Sequence, residues 1–108
     1  MKKNDRLKAL LQFLEESPDD PFTLYGIALE YAKTDAEEAR KYFDILLSDH
    51  SDYLPAYYKA GEFYQDLGET EKALEIYNGG IALAEKIKDI KTLAELKNAH
   101  QNLLFELD

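Results

Sequence analysis

The sequence predicts an all-α protein of six helices joined by short turns. Apolar residues recur at spacings of three and four along almost the whole chain, as in Leu7, Leu10, Leu11 and Leu14. That spacing places them on one face of a helix. Runs of β-branched residues, which would favour strands, are missing. Proline, glycine and short polar clusters interrupt the pattern at intervals and mark the turns.

Length and composition indicate one globular domain over residues 1–108. The chain has 108 residues, of which 45% are hydrophobic and 32% are charged. A domain of this size buries enough surface to form a stable core without disulfides or bound metals. Because cysteine is absent, disulfides, thiolate metal sites and cysteine nucleophiles are excluded.

The charge balance limits the partners that the chain would bind. Thirteen basic residues stand against 22 acidic ones, for a net charge of −9. This balance disfavours binding to nucleic acids and to anionic membrane surfaces, which requires clustered positive charge. No apolar run has the length of a signal peptide or a membrane span, and we therefore expect a cytoplasmic protein.

Capping residues define the first two helices. The first helix is predicted over 5–17 and is closed by Pro18. The second begins at Pro21 with Asp20 as its N-cap, since proline at the first helical position loses no hydrogen bond. It should run to about Lys33.

The third and fourth helices have similar signals. Thr34 with Glu37 has the spacing of a capping box, and the helix that it opens should continue to about Ser48. Pro55 marks the start of the fourth helix, which should end close to Gly68, where glycine favours a left-handed C-cap.

The fifth helix is predicted from Thr70 to about Lys86, and the sixth is predicted to begin at a second capping box, Thr92 with Glu95, and to reach Leu107. Connections of this length make successive helices antiparallel neighbours.

Two sets of residues repeat the same spacing, which indicates an internal repeat. They lie 33 residues apart in the first helix of each hairpin and 34 apart in the second. In each set, small residues allow two helices to approach and large residues fill the space beside them. The sets are Leu24, Ile27, Ala28, Tyr31, Ala39 and Phe43, then Tyr57, Ala60, Gly61, Tyr64, Ala73 and Tyr77.

This pattern resembles the tetratricopeptide repeat, whose signature is a large residue, a small pair, tyrosine, alanine, an aromatic residue and proline. Tyr57 stands for the usual tryptophan and Ala60 for the usual leucine, while Ser51 and Glu85 replace the closing proline. The second replacement suggests that the fifth helix runs past its usual end. The whole chain is also similar to small stand-alone repeat proteins of bacteria.

The resemblance implies a short right-handed α-solenoid of antiparallel helix hairpins. Its two full repeats would cover 21–51 and 54–87. The helix over 5–17 would be the second half of a preceding repeat, and the helix over 92–107 a solvating cap.

Residues for catalysis are hard to find, and we expect a protein that is not an enzyme and has no metal or cofactor. The two histidines, His50 in a polar turn and His100 on the sixth helix, are best explained as a loop residue and a boundary residue. A weak metal site at His50 with its neighbouring aspartates is the alternative, although sequential residues on one short turn rarely converge on a metal.

Two adjacent glycines inside the fifth helix require an explanation, because glycine there costs roughly 1 kcal/mol relative to alanine. Gly80 occupies a repeat position where the family prefers alanine, so close packing explains it. For Gly79 we expect a mild local irregularity of the helix.

In the family that the chain resembles, the first helix of each hairpin lines a concave groove. The resemblance implies that certain positions on these helices face the groove. The residues at these positions are bulky or polar, and the packing pattern does not require them. Three alternatives remain for these residues: they are buried in the core, they line a groove for a peptide or partner segment, or they mediate self-association. The predicted groove residues are Phe22, Tyr25, Leu29, Tyr58, Glu62 and Gln65.

Two functions follow from these alternatives. The first is a monomeric protein-interaction module. Its acidic groove would favour a basic or neutral partner. The second is a structural or assembly unit that forms a weak homodimer through the same aromatic face. The signature residues are packing residues, so the identity of the partner does not follow from them.

Overall fold

The computed structural model describes residues 2–107, and over these residues the prediction of an all-α protein is confirmed. The described part of the chain contains no strand. Its six helices are α1 (Lys2–Glu16), α2 (Pro21–Ala32), α3 (Ala36–Asp49), α4 (Pro55–Asp66), α5 (Thr70–Ile87) and α6 (Ile90–Glu106).

Several predicted helix boundaries are confirmed by their caps. The Asp20 side chain accepts a hydrogen bond from the Thr23 amide at 3.1 Å, and Pro21 is the first residue of α2. Pro55 likewise begins α4. After α4, Gly68 adopts a left-handed backbone with φ of 81°, the conformation that favours glycine at a helix C-terminus.

The predicted capping box of α3 is wrong by one residue. Asp35, not Thr34, caps the helix, and its side chain accepts from the Glu38 amide at 3.2 Å. The amide of Thr34 donates instead to the carbonyl of Tyr31 at 2.9 Å, so Thr34 belongs to the turn that closes α2. An aspartate at the N-cap also interacts favourably with the helix dipole.

The predicted start of α6 at Thr92 is wrong by two residues, because the preceding turn is tighter than expected. Lys88 ends α5 in the left-handed conformation, with φ of 64°. The adjacent Asp89 then caps α6 directly and accepts from the Thr92 amide at 3.0 Å. Thr92 is therefore already inside the helix.

The helix α5 continues without a break through its two glycines to Ile87. The local irregularity expected at Gly79 is therefore not found. The expectation that this helix extends past the usual end of the repeat is confirmed by its length of 18 residues.

The chain divides into two compact units, the residues up to Tyr53 and the residues from Leu54 onward. In the first unit, α2 packs against both α1 and α3. Arg6 on α1 forms an ion pair with Glu30 on α2 at 3.0 Å. The buried hydrophobic residues of this unit are Leu24, Ile27, Ala28, Ala39, Phe43 and Leu46.

In the second unit, α5 packs against α4 and α6, and α4 also contacts α6. Gly61 lies directly against the ring of Tyr77, and Gly80 lies against Tyr57 and Leu96. The close packing predicted at Gly80 is therefore confirmed. Small residues at these points allow the helices to approach at the distance that the large rings require.

Candidate functional site

The repeated signature residues form the interior of each unit and leave little for binding. Apart from Tyr31, which is half-buried, both sets are buried, and the alanines at 28, 39, 60 and 73 are fully so. Candidate binding residues must therefore come from positions that the packing pattern does not use.

In the first unit, the three predicted groove residues on α2 differ in exposure. Phe22 has 68% of its surface exposed, next to the capped start of the helix. Tyr25 is half-buried, and the edge of its ring contacts Tyr53 with centroids 5.7 Å apart. Leu29 is also half-buried. The set thus combines one exposed aromatic ring with two partly covered apolar side chains.

In the second unit, the predicted residues on α4 lie near Tyr77, and Gln65 contacts its hydroxyl. Tyr58 is half-buried, with its ring centroid 6.4 Å from that of Tyr77. The Tyr77 hydroxyl donates a hydrogen bond to Oε1 of Gln65 at 3.0 Å. Glu62 is exposed and pairs with Lys59 on the same helix at 3.5 Å. The arrangement holds an aromatic ring, an amide and a carboxylate in the neighbourhood of one buried ring.

Tyr77 is held in its protonated form by this environment. Burial raises the pKa of Tyr77 to about 12, and the negative charges of Glu62, Asp66 and Glu106 add to the effect. Its ring is only 1% exposed. The hydroxyl is therefore a permanent donor at neutral pH, and the Gln65 side-chain oxygen keeps a fixed donor partner.

Tyr77 is the participant that sequence reasoning missed at this place, since it was assigned only to packing. The available signal was its hydroxyl, because a buried tyrosine hydroxyl usually has a hydrogen-bond partner. The exposed apolar residues of α6, among them Leu104 and Phe105, were also missed, since that helix was expected to be a solvating cap.

Among the described residues, none are grouped in a way that would hold a metal ion. Within residues 2–107, no three histidine, aspartate or glutamate side chains come close enough to hold a metal ion. His50 is the C-cap residue of α3, and its amide donates to the carbonyl of Leu46 at 2.9 Å. Over the same residues, no helix is both long and apolar enough to cross a membrane.

Antiparallel hairpins with small residues at the helix contacts define a helical repeat protein, and comparison with known proteins identifies the class. A family model for the tetratricopeptide repeat matches residues 55–79. A tetratricopeptide repeat domain protein from Salinibacter ruber, solved by NMR, is 37% identical, with a TM-score of 0.75. The match covers 80% of this chain and 88% of that one. The chain belongs to the tetratricopeptide repeat family.

Two further solved structures are similar. A crystal structure of a tetratricopeptide repeat domain protein from Salinibacter ruber is 35% identical, with a TM-score of 0.73, over 78% of this chain and 96% of that one. A protein from Bordetella parapertussis has a TM-score of 0.78 over 93% of this chain and 88% of that one. At 21% identity, the latter shows the fold alone. No curated protein matches the chain.

Proposed function

We propose that this chain is a non-catalytic protein-interaction module that binds a segment of another protein through the first helix of its hairpins. Tetratricopeptide repeat domains commonly mediate protein–protein interactions. The observation that carries the proposal is the hydrogen bond from the buried Tyr77 to Gln65, with the half-buried ring of Tyr58 beside the ring of Tyr77.

The Gln65 side chain provides hydrogen-bond donors for a peptide. Its amide oxygen accepts from Tyr77, and its amide nitrogen carries two N–H groups. Because the other end of the amide is already bonded, the nitrogen is positioned before a partner arrives. A backbone carbonyl of an extended segment is the acceptor that suits it.

The charges beside this amide favour a basic or neutral partner. Glu62 and Asp66 are exposed on the same helix, and Lys59 is the ion-pair partner of Glu62. An exposed pair of this kind contributes little stability, so a lysine or arginine of a partner can compete for the carboxylate. Acidic segments would be disfavoured by repulsion.

In the first unit, Phe22 is the strongest candidate anchor. It is the most exposed aromatic residue of the described chain, and large aromatic side chains dominate the binding energy of many interfaces. Tyr25 and Leu29 are half-buried on the same helix, and they would add apolar contact area beside it.

The test is selection of peptides from a random library with the wild-type chain, followed by titration of the selected peptides against variants. We expect Phe22→Ala to weaken binding about tenfold or more, as loss of an anchoring side chain does. Phe13→Ala is the matched control, since Phe13 is 59% exposed on α1 and lies outside the predicted set.

A second pair of variants tests the charge argument. Glu62→Lys should weaken binding of basic peptides and reduce its dependence on salt. Glu75→Lys, a change of equal charge at an exposed position of α5, should leave both unchanged. Selected peptides that bind all four variants equally well would refute the proposed site, and a library that yields no peptide would refute the function.

A further inference from the structure

One face of α6 is exposed along the whole helix. Its members follow one another at spacings of three and four, which places them on one side. The opposite side carries the buried residues Leu96 and Leu103. We call the exposed side the outer face of α6, and its residues are Ile90, Ala94, Lys97, Asn98, Gln101, Leu104 and Phe105.

The outer face of α6 concentrates exposed apolar surface at its two ends. Ile90 is 78% exposed at the first end, while Phe105 is 66% and Leu104 is 44% exposed at the second. Isolated exposed apolar residues are ordinary, but these three lie on one side of one helix, where a single partner helix can cover them together.

The outer face of α6 is also free of carboxylates among the residues that the structure describes, and its single charge is Lys97. The chain as a whole has 22 acidic residues and a net charge of −9. Two copies would repel each other in most orientations. Along this face they can meet without placing one carboxylate against another.

From this layout we infer that the outer face of α6 binds a second copy of the same chain, with the two helices antiparallel. A two-fold axis between positions 97 and 98 would place Ile90 of one copy against Phe105 of the other at both ends. The same axis would place Ala94 against Gln101, a small residue against a long one. Such a surface is complementary to itself, which a symmetric dimer requires.

The centre of the face is compatible with this pairing. Lys97 would lie next to Asn98 of the other copy, with its aliphatic stem along the helix and its ammonium group in water. The contact is one helix long, about 25 Å for 17 residues at 1.5 Å each. One helix face of this length buries less area than a standard stable interface. We therefore expect a weak dimer with a micromolar or higher dissociation constant.

The outer face of α6 shares no residue with the candidate binding residues, so this inference does not rest on the proposed function. The first test is sedimentation equilibrium of the wild-type chain from micromolar to millimolar concentration, where a monomer–dimer equilibrium is expected. Phe105→Glu should raise the dissociation constant at least about tenfold, since an unpaired charge replaces an apolar contact.

Phe13→Glu is the matched control, because it makes the same change at an exposed phenylalanine of α1. It should leave the dissociation constant unchanged. A wild-type chain that remains monomeric throughout would overturn the inference. So would a dimer that Phe105→Glu leaves intact, or one that both variants weaken equally.

The antiparallel orientation has a test of its own. Ile90→Lys and Phe105→Glu should each dimerise weakly alone, while an equimolar mixture should form a heterodimer, because the introduced charges meet as an opposite pair. A parallel pair would place position 105 against 105, so mixing would relieve like-charge repulsion but form no opposite pair, and its heterodimer would not weaken as the salt concentration rises. Failure of the mixture to associate more strongly than either variant, or a heterodimer that salt does not weaken, would overturn the antiparallel dimer.

Discussion

Replacing Gly61 with alanine tests the helix contact on which the second unit depends. A Cβ atom at this position would lie 2.6 Å from Cδ1 and 2.8 Å from Cζ of Tyr77. Favourable contacts between carbon atoms are about 3.5–4.0 Å long, so the ring would have to move by roughly 1 Å. Tyr77 is 1% exposed and its hydroxyl is bonded to Gln65, and both constraints oppose that movement.

Two opposing effects determine the magnitude. Alanine is favoured over glycine inside a helix by about 1 kcal/mol, while inserting a group into a packed core costs about 1–3 kcal/mol. The contact at Gly61 is at the severe end, since three ring atoms of Tyr77 lie within 3 Å of the added carbon. We expect Gly61→Ala to lower the free energy of unfolding by about 1–2 kcal/mol.

The assay is urea denaturation followed by far-UV circular dichroism, in two backgrounds. In the wild-type background Gly61→Ala should destabilise. In a Tyr77→Leu background, which lacks the ring, the same change should be neutral or stabilising. Equal effects in the two backgrounds would refute the proposed contact, because residues that do not interact have additive effects.

Gly79→Ala is the matched control, the same chemical change inside α5. Its Cβ atom would lie 3.2 Å from Cε2 and 3.7 Å from Cδ2 of Tyr57, and the position is exposed. A shift of the ring edge by a few tenths of an ångström relieves this contact. Gly79→Ala should therefore raise the free energy of unfolding, by at most about 1 kcal/mol. A loss of stability comparable to that of Gly61→Ala would show that the distance to the nearest ring does not decide whether the substitution stabilises or destabilises.

Three further predictions concern titration, capping and the turn after α4. The pKa of tyrosine is near 10 in the unfolded chain and about 12 for folded Tyr77, so the stability due to the Tyr77 proton is present below pH 10 and lost between pH 10 and 12. Tyr77→Phe should reduce this loss of stability in urea denaturation at a series of pH values. An unchanged pH dependence would contradict the raised pKa. Asp35→Ala should cost about 1 kcal/mol in urea denaturation, and Thr34→Ala much less; equal costs would restore Thr34 as the cap. Gly68→Ala should cost about 1–2 kcal/mol by the same assay because φ is 81°, and a neutral effect would rule out the left-handed turn.

Helix content, repeat length and most of the core were readable from the sequence because they depend on local spacing. The period of the apolar residues places Leu24, Ile27 and Ala28 on one face, whatever packs against it. Small residues at the repeated positions predict close helix contacts, and the burial of Ala39 and Ala73 agrees. Proline and glycine marked turns because their backbone preferences are local.

Helix starts were predicted less accurately, because two adjacent residues can both serve as caps. Thr34 and Asp35 each have a suitable side chain, and the choice depends on where the preceding helix ends. That end is set by the hydrogen bond from the Thr34 amide to the carbonyl of Tyr31. The left-handed turn at Lys88 decided the start of α6 in the same way.

The sequence by itself determined which residues pack inside each hairpin, and it determined the chain's acidic character. Only the tertiary structure decided that Phe22 is exposed, that Tyr58 lies beside Tyr77 and that the Tyr77 hydroxyl donates a hydrogen bond to Gln65. It also placed Ile90 and Phe105 in solvent. The physical reason is that exposure and hydrogen bonding of a side chain depend on the neighbouring helices, whose positions the local spacing of residues does not contain.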